Sequence, residues 1–274
     1  MNNASFVLHF SDPRCREVKL SGGKGHNMAI MVQEGLPVPP GFVITSAAFL
    51  AAVDEGRLRS LCRAGNLAGA REIVALGRPP EAAVAEHYAT LNSLVAVRSS
   101  ACAEDSDGAS YAGQQETYLN VDGLPAVLEK VVACWLSFFA DRAVFYRSEK
   151  GSLEDVAIAV VVQNMIDSKK SGVLFTVDPV QGRKDRMIVE AAFGLGENVV
   201  DGRQTPDHYA LDRKGTLKRS RIVGEQVLND NELRQLADLG RKLEEIHGCP
   251  QDIEWAFDKS GELSLLQCRP ITTI

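Results

Sequence analysis

The sequence predicts an α+β fold. Short stretches of polar and apolar alternation recur along the chain, two of them form a hairpin signature near the C-terminus, and longer segments between them carry the helical period. In chain order, Ser21-Gly22-Gly23-Lys24-Gly25 leads into Met28, Ala29, Met31 and Val32 at helical spacing, and the pattern stops at Gly35 before Pro37. A strand is expected at 40–44. Residues 51–93, rich in Ala, Leu, Arg and Glu, read as two or three amphipathic helices. A second strand at 94–98 ends in Arg98. The pattern at 124–150 is helical, with apolar residues at 127, 128, 131, 132, 135, 138 and 139. Further strands are expected at 156–165, 172–177, 186–192 and 207–212, then a helix at 232–247 closed by Gly248-Cys249-Pro250.

The hairpin is the most informative segment. Alternation over Asp252 to Asp258 puts Asp252, Glu254 and Asp258 on one strand face and Ile253, Trp255 and Phe257 on the other. Lys259-Ser260-Gly261 is a turn signal, and the returning strand 263–269 puts Gln267 and Arg269 on one face. If Asp258 pairs with Leu263, Glu254 falls opposite Gln267 and Asp252 opposite Arg269. Carboxylate and amide oxygens suit magnesium, and a planar guanidinium suits phosphate oxygens. The plain alternative is a solvated hairpin with a surface ion pair.

Two other segments point to phosphate. Lys24 is expected in a glycine-rich loop at a helix start, where glycines admit a close backbone approach and the helix N-terminus favours anions. The complete P-loop pattern is missing, and an ordinary turn is the alternative. After Arg98-Ser99-Ser100-Ala101, the run from Ala109 to Thr117 is dominated by small and hydroxyl residues. Such a run can lie over a polyphosphate without steric cost, offering amides and the hydroxyls of Ser110 and Thr117. Alternatively it is a polar connector.

Composition narrows the classes. A chain of 274 residues, 45% hydrophobic, supports one large or two medium domains. The expected organisation is a single two-lobed unit, about 1–150 and 151–274. Thirty basic and 36 acidic residues give a net charge of -6 without a basic run, so nucleic acid and anionic membranes are poor partners. Cys15, Cys62, Cys102, Cys134, Cys249 and Cys268 show no metal spacing. With no signal-peptide pattern, they read as reduced thiols of a cytoplasmic protein. Cys102 and Cys268 lie beside candidate site residues, so inhibition by a thiol reagent is expected.

The ordered set Gly22-Gly23-Lys24-Gly25, Arg98-Ser99-Ser100-Ala101 with Ala112-Gly113-Gln114-Gln115, Ser171-Gly172-Val173-Leu174-Phe175-Thr176, Gly194-Leu195-Gly196-Glu197, Thr205-Pro206-Asp207, and Asp252-Ile253-Glu254-Trp255 with Gln267-Cys268-Arg269-Pro270 carries a resemblance. The chain resembles the ATP-binding domain of the pyruvate phosphate dikinase and phosphoenolpyruvate synthase family, which includes rifampin phosphotransferases and glutamine kinases. The resemblance runs from about Lys19 to Thr272. It implies an ATP-grasp fold with MgATP held between two lobes. It also implies that Lys24 and Arg98 bind phosphate, that Gly113 and Thr117 belong to a loop over the phosphates, and that Gln163 lies near the adenine. By the same resemblance Glu254 and Gln267 bind Mg2+ with their neighbour Asp252 in the metal set, Arg269 beside them binds the nucleotide phosphates with Lys24 and Arg98, and Arg142 sits on an arginine-bearing helix.

Two departures stand out. His26 follows the glycine run where relatives more often carry a small residue or leucine, so its imidazole is expected either near the phosphates or in solvent. None of His9, His26, His87, His208 and His247 lies in the Gly-Gly-x-Thr-Ser-His context of the family's phosphate-accepting swivelling domain. That domain and a substrate domain are therefore expected to be absent. Three readings follow. One is a phosphotransferase subunit passing the β-phosphoryl group of ATP to a histidine on a separate partner protein, leaving AMP and phosphate, with a small molecule as final acceptor. Another is a stand-alone kinase acting on a small-molecule amide, amine or hydroxyl. The third is a non-catalytic ATP-binding regulatory module, which the intact Lys24, Arg98, Arg269, Glu254 and Gln267 disfavour.

Overall fold

The structure, a computed structural model, describes residues 5–91, 94–102, 116–141, 156–196 and 204–272. The chain divides into two compact units, Met1–Glu34 with Pro40–Met165, and Gly35–Pro39 with Ile166–Ile274. This is the α+β class expected from the sequence. The division falls after the strand that ends near Met165, because that strand belongs to the first sheet.

The first unit is built on an antiparallel sheet of five strands. These are β1 (Val7–His9), β2 (Gly41–Ile44), β3 (Leu94–Ala101), β4 (Thr117–Asp122) and β5 (Ile158–Asn164), in the order β1-β2-β5-β3-β4. On one face lie α2 (Ser46–Ala52), α3 (Glu55–Arg63), α4 (Leu67–Ala75), α5 (Glu81–Tyr88) and α6 (Leu124–Ser137). Their core joins Phe49, Trp135 and Phe139 to Phe42, Val95, Val97, Val160 and Val162 of the strands. Alternation along β3 therefore turns Ala96, Arg98 and Ser100 to the opposite face. There α1 (Val18–Gln33) packs, with Gly25 against Val43 and Met28 beside Gln163.

The second unit carries a six-stranded antiparallel sheet in the order β11-β10-β6-β7-β8-β9, formed by β6 (Ser168–Phe175), β7 (Arg186–Phe193), β8 (Asp207–Asp212), β9 (Leu217–Arg221), β10 (Gln251–Asp258) and β11 (Leu263–Pro270). One face is covered by α7 (Asp230–His247), whose Gly240 lies against Leu174, Thr176 and Met187. This helix is well delimited. Asn229 and Glu232 form a reciprocal capping box at its start, and Gly248 ends it in the left-handed region at φ 69°. Lys170 reaches from β6 to Glu232 at 2.6 Å, tying α7 to the sheet.

Every strand expected from the sequence is present, and the described residues hold three more that the sequence did not signal. β1 is only three residues long, β4 follows a small-residue run with no strand pattern of its own, and β9 is exposed along its whole length and has no apolar face. The expected helix at 124–150 is described as far as Ser137, and residues 142–150 lie outside the described residues. No helix among the described residues is long and apolar enough to cross a membrane.

Candidate functional site

In the first unit the glycine run is a single-residue break inside a helix, not a loop before one. The helix α1 begins at Val18, is interrupted at Gly22 (φ 68°, ψ 173°), and continues to Gln33. A side chain at Gly22 would place its Cβ 2.3 Å from the Ser100 carbonyl oxygen, so β3 approaches the break as closely as glycine allows. Two residues later, Lys24 Nζ donates to the Ser99 carbonyl at 2.9 Å. The ammonium is thereby held over the end of β3.

Arg98, on the same strand, is 7% exposed and stands opposite Thr117 of β4. Lys24, Arg98 and Thr117 are thus brought together by one helix break and one strand pair. Gln163 lies on β5 opposite Ala96, two positions along β3 from Arg98 and on the same face. It is 1% exposed, and its Nε2 donates to the Met28 thioether at 3.6 Å. Gly113 and Arg142 lie outside the described residues. His26 points away from this cluster: its Nδ1 is 2.7 Å from the Arg16 carbonyl. Since a carbonyl only accepts, Nδ1 carries the proton in that bond.

In the second unit the hairpin brings the expected residues together by a different route from the one the sequence suggests. Phe257, rather than Asp258, pairs with Leu263, a register that alone would set Gln267 opposite Ile253. Between Trp255↔Leu265 and Glu254↔Gln267 the register shifts, and Leu266 is the extra residue. The bulge restores Glu254 opposite Gln267 and Asp252 opposite Arg269, on the face away from α7. The same face carries Glu190 and His208, paired across β7 and β8, with His208 Nδ1 3.6 Å from Glu190 Oε1. Neither was anticipated from the sequence, because nothing local signals which strands become neighbours.

Arg269 grips Asp252 through both Nε (2.8 Å) and Nη2 (2.7 Å), each to Oδ2. Burial pushes the Asp252 carboxyl above its ordinary range, the guanidinium opposes that shift, and Glu254 adds to it. The side chain of Asp252 is 11% exposed and that of Arg269 43%, so the pair is anchored in the sheet with its cationic end outward. Glu254 and Gln267, directly opposite one another, offer one carboxylate and one amide oxygen. Magnesium fits that donor set, since it keeps several waters and takes one or two protein oxygens beside substrate phosphates. Among the described residues there is no cluster of three or more His, Cys, Asp or Glu side chains that could hold a metal by itself.

Gly172 has a packing role. A Cβ there would lie 1.9 Å from the Glu190 carbonyl oxygen and 2.8 Å from the Trp255 ring, so only glycine leaves room for both neighbours. Asp207 is likewise structural: its buried carboxylate accepts from Val223 N (2.7 Å), Val227 N (2.9 Å) and Tyr209 Oη (2.7 Å), organising the segment after β9. Cys268 corrects one expectation. It is 1% exposed, its thiol donates to Gln251 Oε1 at 3.0 Å, and burial raises its pKa strongly, so it is no target for a thiol reagent in the folded protein.

The chain belongs to the family described as pyruvate phosphate dikinase, AMP/ATP-binding domain, which matches residues 18–226 and 215–274. It is 40% identical to a probable phosphoenolpyruvate synthase of Archaeoglobus fulgidus, over 98% of this chain and 42% of that protein. It is 39% identical to a probable phosphoenolpyruvate synthase of Methanothermobacter thermautotrophicus, over 98% of this chain and 46% of that protein. A rifampicin phosphotransferase of Bacillus cereus is 35% identical over 99% of this chain and 36% of its own length. The chain thus spans less than half the length of these curated relatives.

Proposed function

We propose that the chain binds MgATP and serves the nucleotide half of a dikinase-type phosphoryl transfer. In this reading Lys24, Arg98 and Arg269 neutralise phosphate charge, Thr117 and Gly113 belong to the segment over the phosphates, and Gln163 lies toward the base. Glu254 and Gln267 hold Mg2+. Asp252, doubly bonded to Arg269, orients that guanidinium and adds negative charge beside the metal rather than serving as a primary ligand. The β-phosphoryl group passes to a histidine on a partner protein, with AMP and phosphate released and a small molecule as the final acceptor.

One observation carries the reading: the bulged hairpin sets Glu254 against Gln267 and Asp252 against Arg269, so carboxylate and amide oxygens stand beside a guanidinium on one sheet face. Family membership supports the nucleotide, and the phosphoenolpyruvate synthase and rifampicin phosphotransferase relatives support phosphotransfer as the chemistry. Such a site works by positioning and charge neutralisation, with no covalent chemistry of its own. The rifampicin phosphotransferase relatives favour, as a second reading, direct transfer to a small organic acceptor.

ATP labelled at the β-phosphate, incubated with the protein and a cell extract, distinguishes the two. Acid-labile label on a second polypeptide supports the relay. Label only in a small molecule, together with AMP, supports direct transfer. Release of no AMP under any condition overturns both.

A further inference from the structure

The break at Gly22 is bridged by a hydroxyl from another part of the chain. In an uninterrupted α-helix the Gly25 amide would bond the Ser21 carbonyl, four residues back. Here Gly25 N donates to Ser100 Oγ at 3.2 Å, and Ser100 Oγ donates to the Ser21 carbonyl at 2.8 Å. The side chain is inserted into the ladder at the i→i−4 pair, a recognised cause of sharp helix kinks. Ser100 is fully buried, and Gly22 has no Cβ because Ser100 occupies that space. Ser21 is fixed in turn, its hydroxyl donating to the Cys15 carbonyl at 2.7 Å. The residue before Ser100 supplies the carbonyl that receives Lys24 Nζ, and the residue before that is Arg98.

We infer that Ser100 is a positioning residue for nucleotide binding: by splicing its hydroxyl into the helix ladder it sets where Lys24 stands relative to Arg98. Without that hydroxyl, the Gly25 amide and the Ser21 carbonyl are left to pair directly. The helix closes by rewinding, and Lys24 turns with it away from the end of β3. The effect of Ser100 on the nucleotide therefore passes through Lys24. The inference rests on Lys24 being a phosphate ligand, and the test separates the two claims.

The affinity of the full chain for the Mg2+ complex of the β,γ-imido analogue of ATP is measured by calorimetry for wild type, Lys24→Ala, Ser100→Ala and the double variant, with thermal unfolding recorded for each. Ser100→Cys, which fills the same space with a weaker hydrogen-bonding group, is carried through the same cycle. It takes the place of Ser100→Ala should the alanine variant not fold. The expected result is a loss of about tenfold or more for each single variant and a double variant no weaker than Lys24→Ala alone. Wild-type affinity in the Ser100 variant, or losses that multiply in the double variant, would overturn the positioning role while leaving Lys24 as a ligand. Wild-type affinity in Lys24→Ala would remove the phosphate-ligand reading and the inference with it.

Discussion

Glu254 stands directly opposite Gln267 only because Leu266 is bulged out of the ladder between β10 and β11. Leu265 faces with Trp255 on the α7 side and Gln267 faces with Glu254 on the other, although the two are separated by a single residue. Deleting Leu266 removes the bulge and joins Leu265 directly to Gln267, which keeps Gln267 opposite Glu254 and Arg269 opposite Asp252 under strict alternation. A folded deletion variant should therefore keep any magnesium dependence of nucleotide binding, read by titration with and without Mg2+. A folded deletion variant that loses this dependence would contradict the placing of the bulge at Leu266.

At Gly22 the backbone is left-handed and the space for a side chain is filled by Ser100. Gly22→Ala adds the left-handed penalty of about 1–2 kcal/mol to a clash with backbone that cannot retreat. The total loss in chemical denaturation should be at least about 2 kcal/mol. Gly35, whose φ is 69° but whose added Cβ meets nothing within 4 Å, should lose only the conformational part when changed to alanine.

Asp207 should behave as a structural carboxylate. Removing it as Asp207→Ala leaves the Val223 and Val227 amides and the Tyr209 hydroxyl without their acceptor. A destabilisation of roughly 3 kcal/mol is expected in urea unfolding, with faster hydrogen exchange at the amides of Val223 and Val227.

The thiols give the pH dependence. Burial pushes Cys15 and Cys134 up to about 12 from an ordinary 9.0. A group whose pKa is raised by folding stabilises fully below its unfolded value and loses that contribution as pH rises toward its folded value. Stability should therefore decline between about pH 9 and about pH 12, as the unfolded chain ionises first. Alkylation of the native protein at neutral pH should be confined to the half-buried Cys102 and Cys249, with the other four thiols reacting only on unfolding. Rapid native labelling of Cys268 would be the contrary result.

Much of the site was legible because its chemistry is compressed into short segments. The facing of Asp252, Glu254, Gln267 and Arg269 could be read from alternation and a turn signal. The assumed pairing of Asp258 with Leu263 was wrong by one residue and the bulge compensated for it, because a bulge leaves no mark in local composition. The position of Lys24 near a helix start was legible from the glycines. The four helical residues before Gly22 were not, since they hold no apolar period of their own. The role of Ser100 has no local signal, for it depends on a partner 75 residues away. The short and edge strands β1, β4 and β9 escaped for a related reason. Their pairing comes from neighbours rather than from side-chain pattern.

Magnesium tests the hairpin site most directly. Binding of the β,γ-imido ATP analogue should be titrated with and without Mg2+ for wild type and for Glu254→Gln. Mg2+ should tighten binding to the wild type, and this gain should fall by about tenfold or more in the variant, whose opposite neighbour Gln267 is unchanged. A Glu254→Gln protein that keeps the full magnesium gain would contradict the assignment of the hairpin as the metal site.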